Sequence, residues 1–257
     1  CIVGDEIEKL EKVISDLKID ALFTQFGYAA FISNKGDTTL RRQAVEKKLQ
    51  QVKQQIQCFR PKFVIPFASF IFYSHEENFY MNDLQTDIRE VVDVISDANS
   101  IPIVLYPGDI FSFKKQRNEA SIKKYLKDRN HIKPLHSGEL VNYEVLKSKG
   151  EAYVKSMRLF HGSFAIGGLA TLSFFYKLIG KIPFNEVTLF ITDLCENVTF
   201  NINSGLNFPH SSAEADVYLS SQTLEYIFEH DWGMAAVNVN GRMQVKNNRS
   251  KLKLNRV

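Results

Sequence analysis

Seven polar residues in the first half of the chain have side chains that chemistry uses: Gln25, Tyr28, Ser69, His75, Glu77, Asn78 and Asp109. They fall in three runs. The first is Gln25-Phe26-Gly27-Tyr28; the second is Pro66-Phe67-Ala68-Ser69-Phe70 leading to Ser74-His75-Glu76-Glu77-Asn78; the third is Pro107-Gly108-Asp109. His75 and Asp109 are metal-ligand types, and Glu77 and Asn78 beside the histidine suit acid/base or substrate roles. Gln25, Tyr28 and Ser69 are candidate substrate contacts. A single histidine with scattered carboxylates does not assign a metal by spacing alone, and a capped turn around a satisfied histidine is the competing reading.

Each run follows a segment that reads as a strand. Ile7, Leu10, Ile14 and Leu17 repeat at helical spacing from Glu6, and Ile19 to Thr24 is a short apolar run suited to a strand. Val45, Leu49, Val52, Ile56 and Phe59 form a second helical stripe that Pro61 ends, with Phe63-Val64-Ile65 as the next strand. Leu84, Ile88, Val91, Val92 and Ile95 make a third stripe behind Asp83 as expected N-cap, followed by a strand from Ile101 to Tyr106 that Pro107-Gly108 stops. Three helix–strand rounds predict an α/β layered domain. Such folds place their sites beyond the carboxyl ends of the strands, where the polar runs lie.

These runs, with Pro61-Lys62-Phe63-Val64-Ile65, Phe79-Tyr80-Met81-Asn82-Asp83 and Tyr106, resemble the second half of metallo-β-lactamase-fold proteins of the CMP-N-acetylneuraminate hydroxylase-like and hydrolase-like branch. The resemblance covers residues 1–112 and implies half of an αββα sandwich. It makes His75 a late histidine ligand or pocket residue and puts Asp109 and Asn78 at the same mouth. It also implies zinc or another divalent metal in the intact protein. The His-x-His-x-Asp-His signature of that fold is absent, because His131, His136, His161, His210 and His230 are dispersed. No metal is therefore expected in this segment alone. Nor do the cysteines and histidines provide the pairs a Rieske cluster requires. The start at Cys1-Ile2-Val3-Gly4-Asp5 reads as the end of a strand, so a missing N-terminal half is the expected partner that supplies the other ligands.

Residues 113–160 read as a basic helical connector, with Lys114, Lys115, Arg117, Lys123, Lys124, Lys127, Arg129 and Lys133 around a narrow stripe of Ile122, Tyr125 and Leu126. A phosphate or anionic-surface contact competes there with a solvated helix. Residues 161–257 change to a mixed pattern. Glu186 to Asp193 and Asn197 to Asn203 alternate as a hairpin, Ala215 to Leu219 is a strand, and Ser220 or Ser221 caps a short helix. Met234 to Val239 reads as a further strand that Asn240-Gly241 turns. The stretch from Ala215 to Val245 resembles the end of a sterol-carrier-protein-2-like α+β domain. Its aromatics, among them Phe174, Phe190, Phe200, Tyr218 and Phe228, would line an apolar tunnel or form a plain core.

The chain has 257 residues, 44% of them hydrophobic and 24% charged, which excludes a disordered or coiled-coil chain. A net charge of +3 from 32 basic and 29 acidic side chains gives no nucleic-acid footprint. Three cysteines without paired spacing fit a reducing cytoplasm. No transmembrane segment is expected, since Phe160 to Ile179 is interrupted and reads as a buried helix. Two functions follow as expectations. One is the C-terminal part of a metal-dependent hydrolase acting on a phosphorylated, nucleotide-linked or lipid substrate. The other is a non-catalytic module holding an apolar ligand or a protein partner, with a homodimer allowed.

Overall fold

In the computed structural model, residues 17–112, 118–136, 138–161, 186–201, 204–207 and 214–254 are described. The expected helix from Glu6 and the expected buried helix over 160–179 lie almost wholly outside them. The described residues form a mixed α/β structure with two sheets. It divides into two compact units: the described residues up to Ser74 with Phe79–Pro134, and His75–Asn78 with the described residues from Leu135 onward.

The first unit is built on three parallel strands in the order β1-β2-β3: β1 (Ala21–Gln25), β2 (Phe63–Phe67) and β3 (Ile101–Pro102). Helices α1 (Thr38–Phe59) and α2 (Ile88–Asp97) carry the predicted stripes. Leu49, Val52 and Ile56 of the first, and Ile88, Val91 and Ile95 of the second, enter one core with Val64 and Val104. The N-cap of α2 is Asp87, whose side chain accepts from the Arg89 amide. The expected cap, Asp83, lies instead in a 3-10 helix, Phe79–Leu84, which takes Leu84 out of the stripe. Helix α3 (Asn118–His131), expected within a solvated connector, packs Ile122 into the same core, with Tyr125 and Leu126 against it. The next helix, α4 (Tyr143–His161), belongs to the second unit.

The third strand is shorter than its apolar run. Pairing covers Ile101 and Pro102, after which Ile103 still donates to the Val64 carbonyl at 2.9 Å. The Asn118 side chain then substitutes for a neighbouring strand, its Oδ1 accepting from the Val104 amide at 2.9 Å and its Nδ2 donating to the Pro102 carbonyl at 2.6 Å. A side chain that satisfies the backbone ends the ladder, which a periodicity argument does not register.

The second unit carries a five-stranded sheet in the order β6-β5-β4-β7-β8. The predicted hairpin is present as antiparallel β4 (Glu186–Ile191) and β5 (Glu196–Asn201), and Val187, Leu189 and Ile191 alternate into the core. β6 (Gly205–Asn207) extends it on one side, while β7 (Val217–Leu219) lies parallel to β4 and β8 (Gln244–Val245) antiparallel to β7. Helix α5 (Ser221–Glu229) has Ser220 as its N-cap, as expected. The expected strand over Met234 to Val239 is instead helix α6 (Gly233–Asn240). Gly241 at φ 67 ends it, donating to the Val237 carbonyl, so the Asn-Gly pair serves as a helix terminus and not a hairpin turn. Helix α7 (Asn248–Leu254) is held by Asp216, which accepts from Ser250 Oγ at 3.0 Å and Lys253 Nζ at 2.7 Å.

Candidate functional site

Parallel strands end at one edge, and in the first unit a cleft of about 210 Å³ opens there. Phe26 follows β1, Ser69 and Phe70 follow β2, and Tyr106 and Pro107 follow the third strand; all line the cleft. Helix α3 closes another side with Tyr125, Leu126, Asp128 and Arg129. The aromatic wall is ordered. Phe70 and Tyr125 stack at 3.7 Å and 4°, and Phe26 and Tyr106 each meet that pair edge-on at 5.0 Å. Such contacts contribute about 1 kcal/mol each beyond area burial. Burial and the nearby carboxylates push the Tyr125 hydroxyl up to about 12, so it stays protonated and donates to the Leu105 carbonyl at 2.6 Å. Just past β2, Ala68 adopts φ 53, a left-handed conformation costly for a residue with a Cβ, at the turn into the cleft wall.

The polar residues around the cleft are mostly committed to shaping it. Ser69 Oγ accepts from the Phe26 amide at 3.0 Å, tying the ends of β1 and β2 together. Thr86 Oγ1 donates to the Phe26 carbonyl at 3.1 Å. Asn82 grips the backbone of Tyr73 from both sides, at 2.9 and 2.7 Å, and its own carbonyl accepts from Arg129 Nη2 at 2.9 Å. Asp128 accepts from the Tyr106 hydroxyl at 2.6 Å.

Of the residues proposed from sequence as substrate contacts, Ser69 lines the cleft. Gln25 is the last residue of β1, paired in register with Phe67. Tyr28 is buried, its phenol pushed upward by burial and partly restored by the Arg41 guanidinium. Arg41 itself is 1% exposed and is held by the Asn34 carbonyl at 2.5 Å, the Lys35 carbonyl at 3.0 Å and Ser33 Oγ at 3.3 Å, with its guanidinium 5.0 Å from the centre of the Tyr80 ring. Asp109 organises the loop after the third strand. One carboxylate oxygen accepts from the Tyr106 amide at 2.9 Å and Ser121 Oγ at 2.6 Å, and the other faces Lys124 Nζ at 3.5 Å. The Ser121 hydrogen bond leads in holding that carboxyl below its ordinary range.

His75, Glu77 and Asn78 belong to the second unit. Asn78 Oδ1 accepts from the His75 amide at 3.0 Å, and its Nδ2 donates to the Asn240 carbonyl at 2.7 Å. Glu77 accepts from Arg242 Nε at 2.5 Å, and Arg242 also donates to Gln222 Oε1 at 2.9 Å. Burial, then Arg242, lowers the His75 pKa against the opposing pull of Glu77, which favours the neutral ring. Among the described residues no group of three or more His, Cys, Asp or Glu side chains is placed to hold a metal ion. The carboxylates of Asp109 and Glu77 are already bonded within their own units.

In the second unit, Tyr153, Phe200 and Phe228 pack ring against ring around a void of only about 10 Å³. That is room for about one water at most, so these aromatics form a core. Phe174 and its neighbours in the expected tunnel lie outside the described residues. No described helix is long and apolar enough to cross a membrane.

Sequence placed Arg129 in a basic segment suited to an anion contact and Phe70 and Tyr106 at strand ends, but did not bring them together with Tyr125 and Asp128 as one site. A signal was present for one of them, since Ile122, Tyr125 and Leu126 at helical spacing mark a face that must pack on something. Comparison with protein-family profiles, with curated proteins and with solved structures found no match.

Proposed function

We propose that the first unit is a small-molecule-binding domain whose ligand enters the cleft at the carboxyl edge of its parallel sheet. The observation that carries this is the cleft itself: about 210 Å³, lined from the ends of all three strands by aromatic and aliphatic side chains with a few polar groups at the rim. An apolar cavity of about 150 Å³ is enough to take up benzene, so a ring of that size or somewhat larger fits. The test is ligand-observed NMR with indole against the full chain and against Ile132→Trp. Ile132 lines the cleft and is 37% exposed, so the larger side chain fills the mouth without entering the core. Binding that Ile132→Trp abolishes supports the reading; indole binding unaffected by the substitution, or no binding, removes it.

A second reading is the metal-dependent hydrolase implied by the metallo-β-lactamase resemblance. It is supported by the lowered His75 pKa, which favours the neutral imidazole that a metal ligand requires. Its remaining ligands would come from outside the described residues. Elemental analysis decides it: zinc bound at one equivalent or more per chain and lost in His75→Ala supports it, and zinc retention in that variant removes His75 as a ligand.

A further inference from the structure

Among the described residues lining the cleft, Arg129 is the one cation and Asp128 the one anion. Each is met by a neutral group among the described residues, but their burial differs. Asp128 is exposed and accepts from the Tyr106 hydroxyl at 2.6 Å. Arg129 is half-buried. Its Nη2 donates to the Asn82 carbonyl at 2.9 Å, and it forms no ion pair among the described residues. That carbonyl is fixed, since the Asn82 side chain is bonded to Tyr73 N and O and to the Phe79 carbonyl. The guanidinium is thus anchored through one nitrogen, and among the described residues the rest of its planar donor fork carries no further hydrogen bond in a half-buried, aromatic-walled site. A guanidinium in that state recognises carboxylate or phosphate oxygens.

Resting on the small-molecule reading of the cleft, we infer that its ligand is a planar aromatic or heteroaromatic ring carrying one anionic group, with the ring against the Phe70–Tyr125 wall and the anion at Arg129. The ring term is set by the aromatic faces and edges, and the volume limits it to about one or two fused rings. The anion term is set by Arg129.

Three probes with a common ring separate the terms: indole, indole-3-acetate and tryptamine, titrated by NMR against the full chain at low salt. Indole-3-acetate binds about fivefold to tenfold more tightly than indole, the range of one partly exposed charge-assisted contact, and tryptamine binds more weakly than indole. Raising sodium chloride to about 0.5 M narrows the preference, because the Debye length shortens. Arg129→Gln abolishes the preference of indole-3-acetate over indole, while Arg129→Lys retains part of it and guards against a folding defect in the glutamine variant. Tryptamine binding as tightly as indole-3-acetate, or an anion preference that survives Arg129→Gln, overturns the inference while leaving the cleft reading intact. Failure of all three probes to bind removes both.

Discussion

Removing the Glu77 carboxylate should destabilise the second unit by about 3 kcal/mol, and the reason lies in the partner it leaves behind. Arg242 and Glu77 meet at 2.5 Å with side chains only 12% and 23% exposed, so neither ion is well solvated once its partner is gone. Unit charges about 4 Å apart at an effective dielectric of about 20 attract by about 4 kcal/mol, and desolvation offsets part of that. Gln222 Oε1 still accepts from Arg242 in a Glu77→Ala variant, but a neutral amide replaces no charge. Removing both partners should therefore cost little more than removing one, giving a coupling energy of about 2 kcal/mol in a cycle of Glu77→Ala, Arg242→Ala and the double variant. Trp232 is the sole tryptophan of the chain and lies in this unit, so its fluorescence during urea unfolding reports the unit being tested. A coupling below about 0.5 kcal/mol would make the pair an ordinary surface bridge and refute the reasoning. A Glu77 serving as an acid/base group would show the reverse pattern, with turnover lost and stability kept.

Four further outcomes follow from other contacts. His75, with its pKa lowered by burial and Arg242, binds its proton more readily when unfolded. The stability it contributes is complete above the ordinary imidazole range and falls as pH drops from there through the lowered value; Arg242→Met should raise the His75 midpoint in an NMR titration. Asn118→Ala removes both bonds that close the edge beyond the third strand and should cost about 1–2 kcal/mol by thermal or urea unfolding. Gly241→Ala forces a Cβ into the left-handed region at φ 67 and should cost about 1 kcal/mol, with far-UV circular dichroism at low temperature unchanged. Arg41→Ala should cost about 3 kcal/mol or more, because it opens a cavity and strips donors from the Asn34 and Lys35 carbonyls; a loss below about 1 kcal/mol in urea would contradict that account.

The architecture was legible wherever burial imposes a period. The stripes of α1 and α2, the strands they alternate with and the β4–β5 hairpin all follow from positions that must face a core. Legibility failed where one signal has two physical uses. Asn240-Gly241 permits a left-handed residue, which closes a hairpin or ends a helix with equal ease, and the short, nearly uniform run Met234 to Val239 has too little amphipathic contrast to choose. It failed again where a side chain replaces backbone pairing, as Asn118 does beyond Pro102. Helix α3 was misplaced for a third reason: its basic residues dominate the composition, while the three residues that dock it are a minority.

The candidate site exposes a more general limit. Residue type led to Ser69, Asn78, Glu77 and Asp109, and the structure gives each of them a bonded partner that a fold requires: a strand tie, a loop anchor, an ion pair and a turn. Buried or half-buried polar groups must be satisfied, and loops leaving the ends of parallel strands have many unpaired amides to satisfy. Polar residues therefore concentrate at strand ends whether or not chemistry happens there, and their presence in those runs does not separate scaffold from site. The distinguishing feature is a charged or aromatic group left uncommitted on a concave surface. In this unit the ring faces of the aromatic wall and the part of the Arg129 guanidinium not bonded to Asn82 come nearest that condition among the described residues, while the residues around them hold the wall in place. Substitutions in the scaffold should accordingly lower stability and ligand affinity together, whereas substitutions at Arg129 should change ligand preference at constant stability.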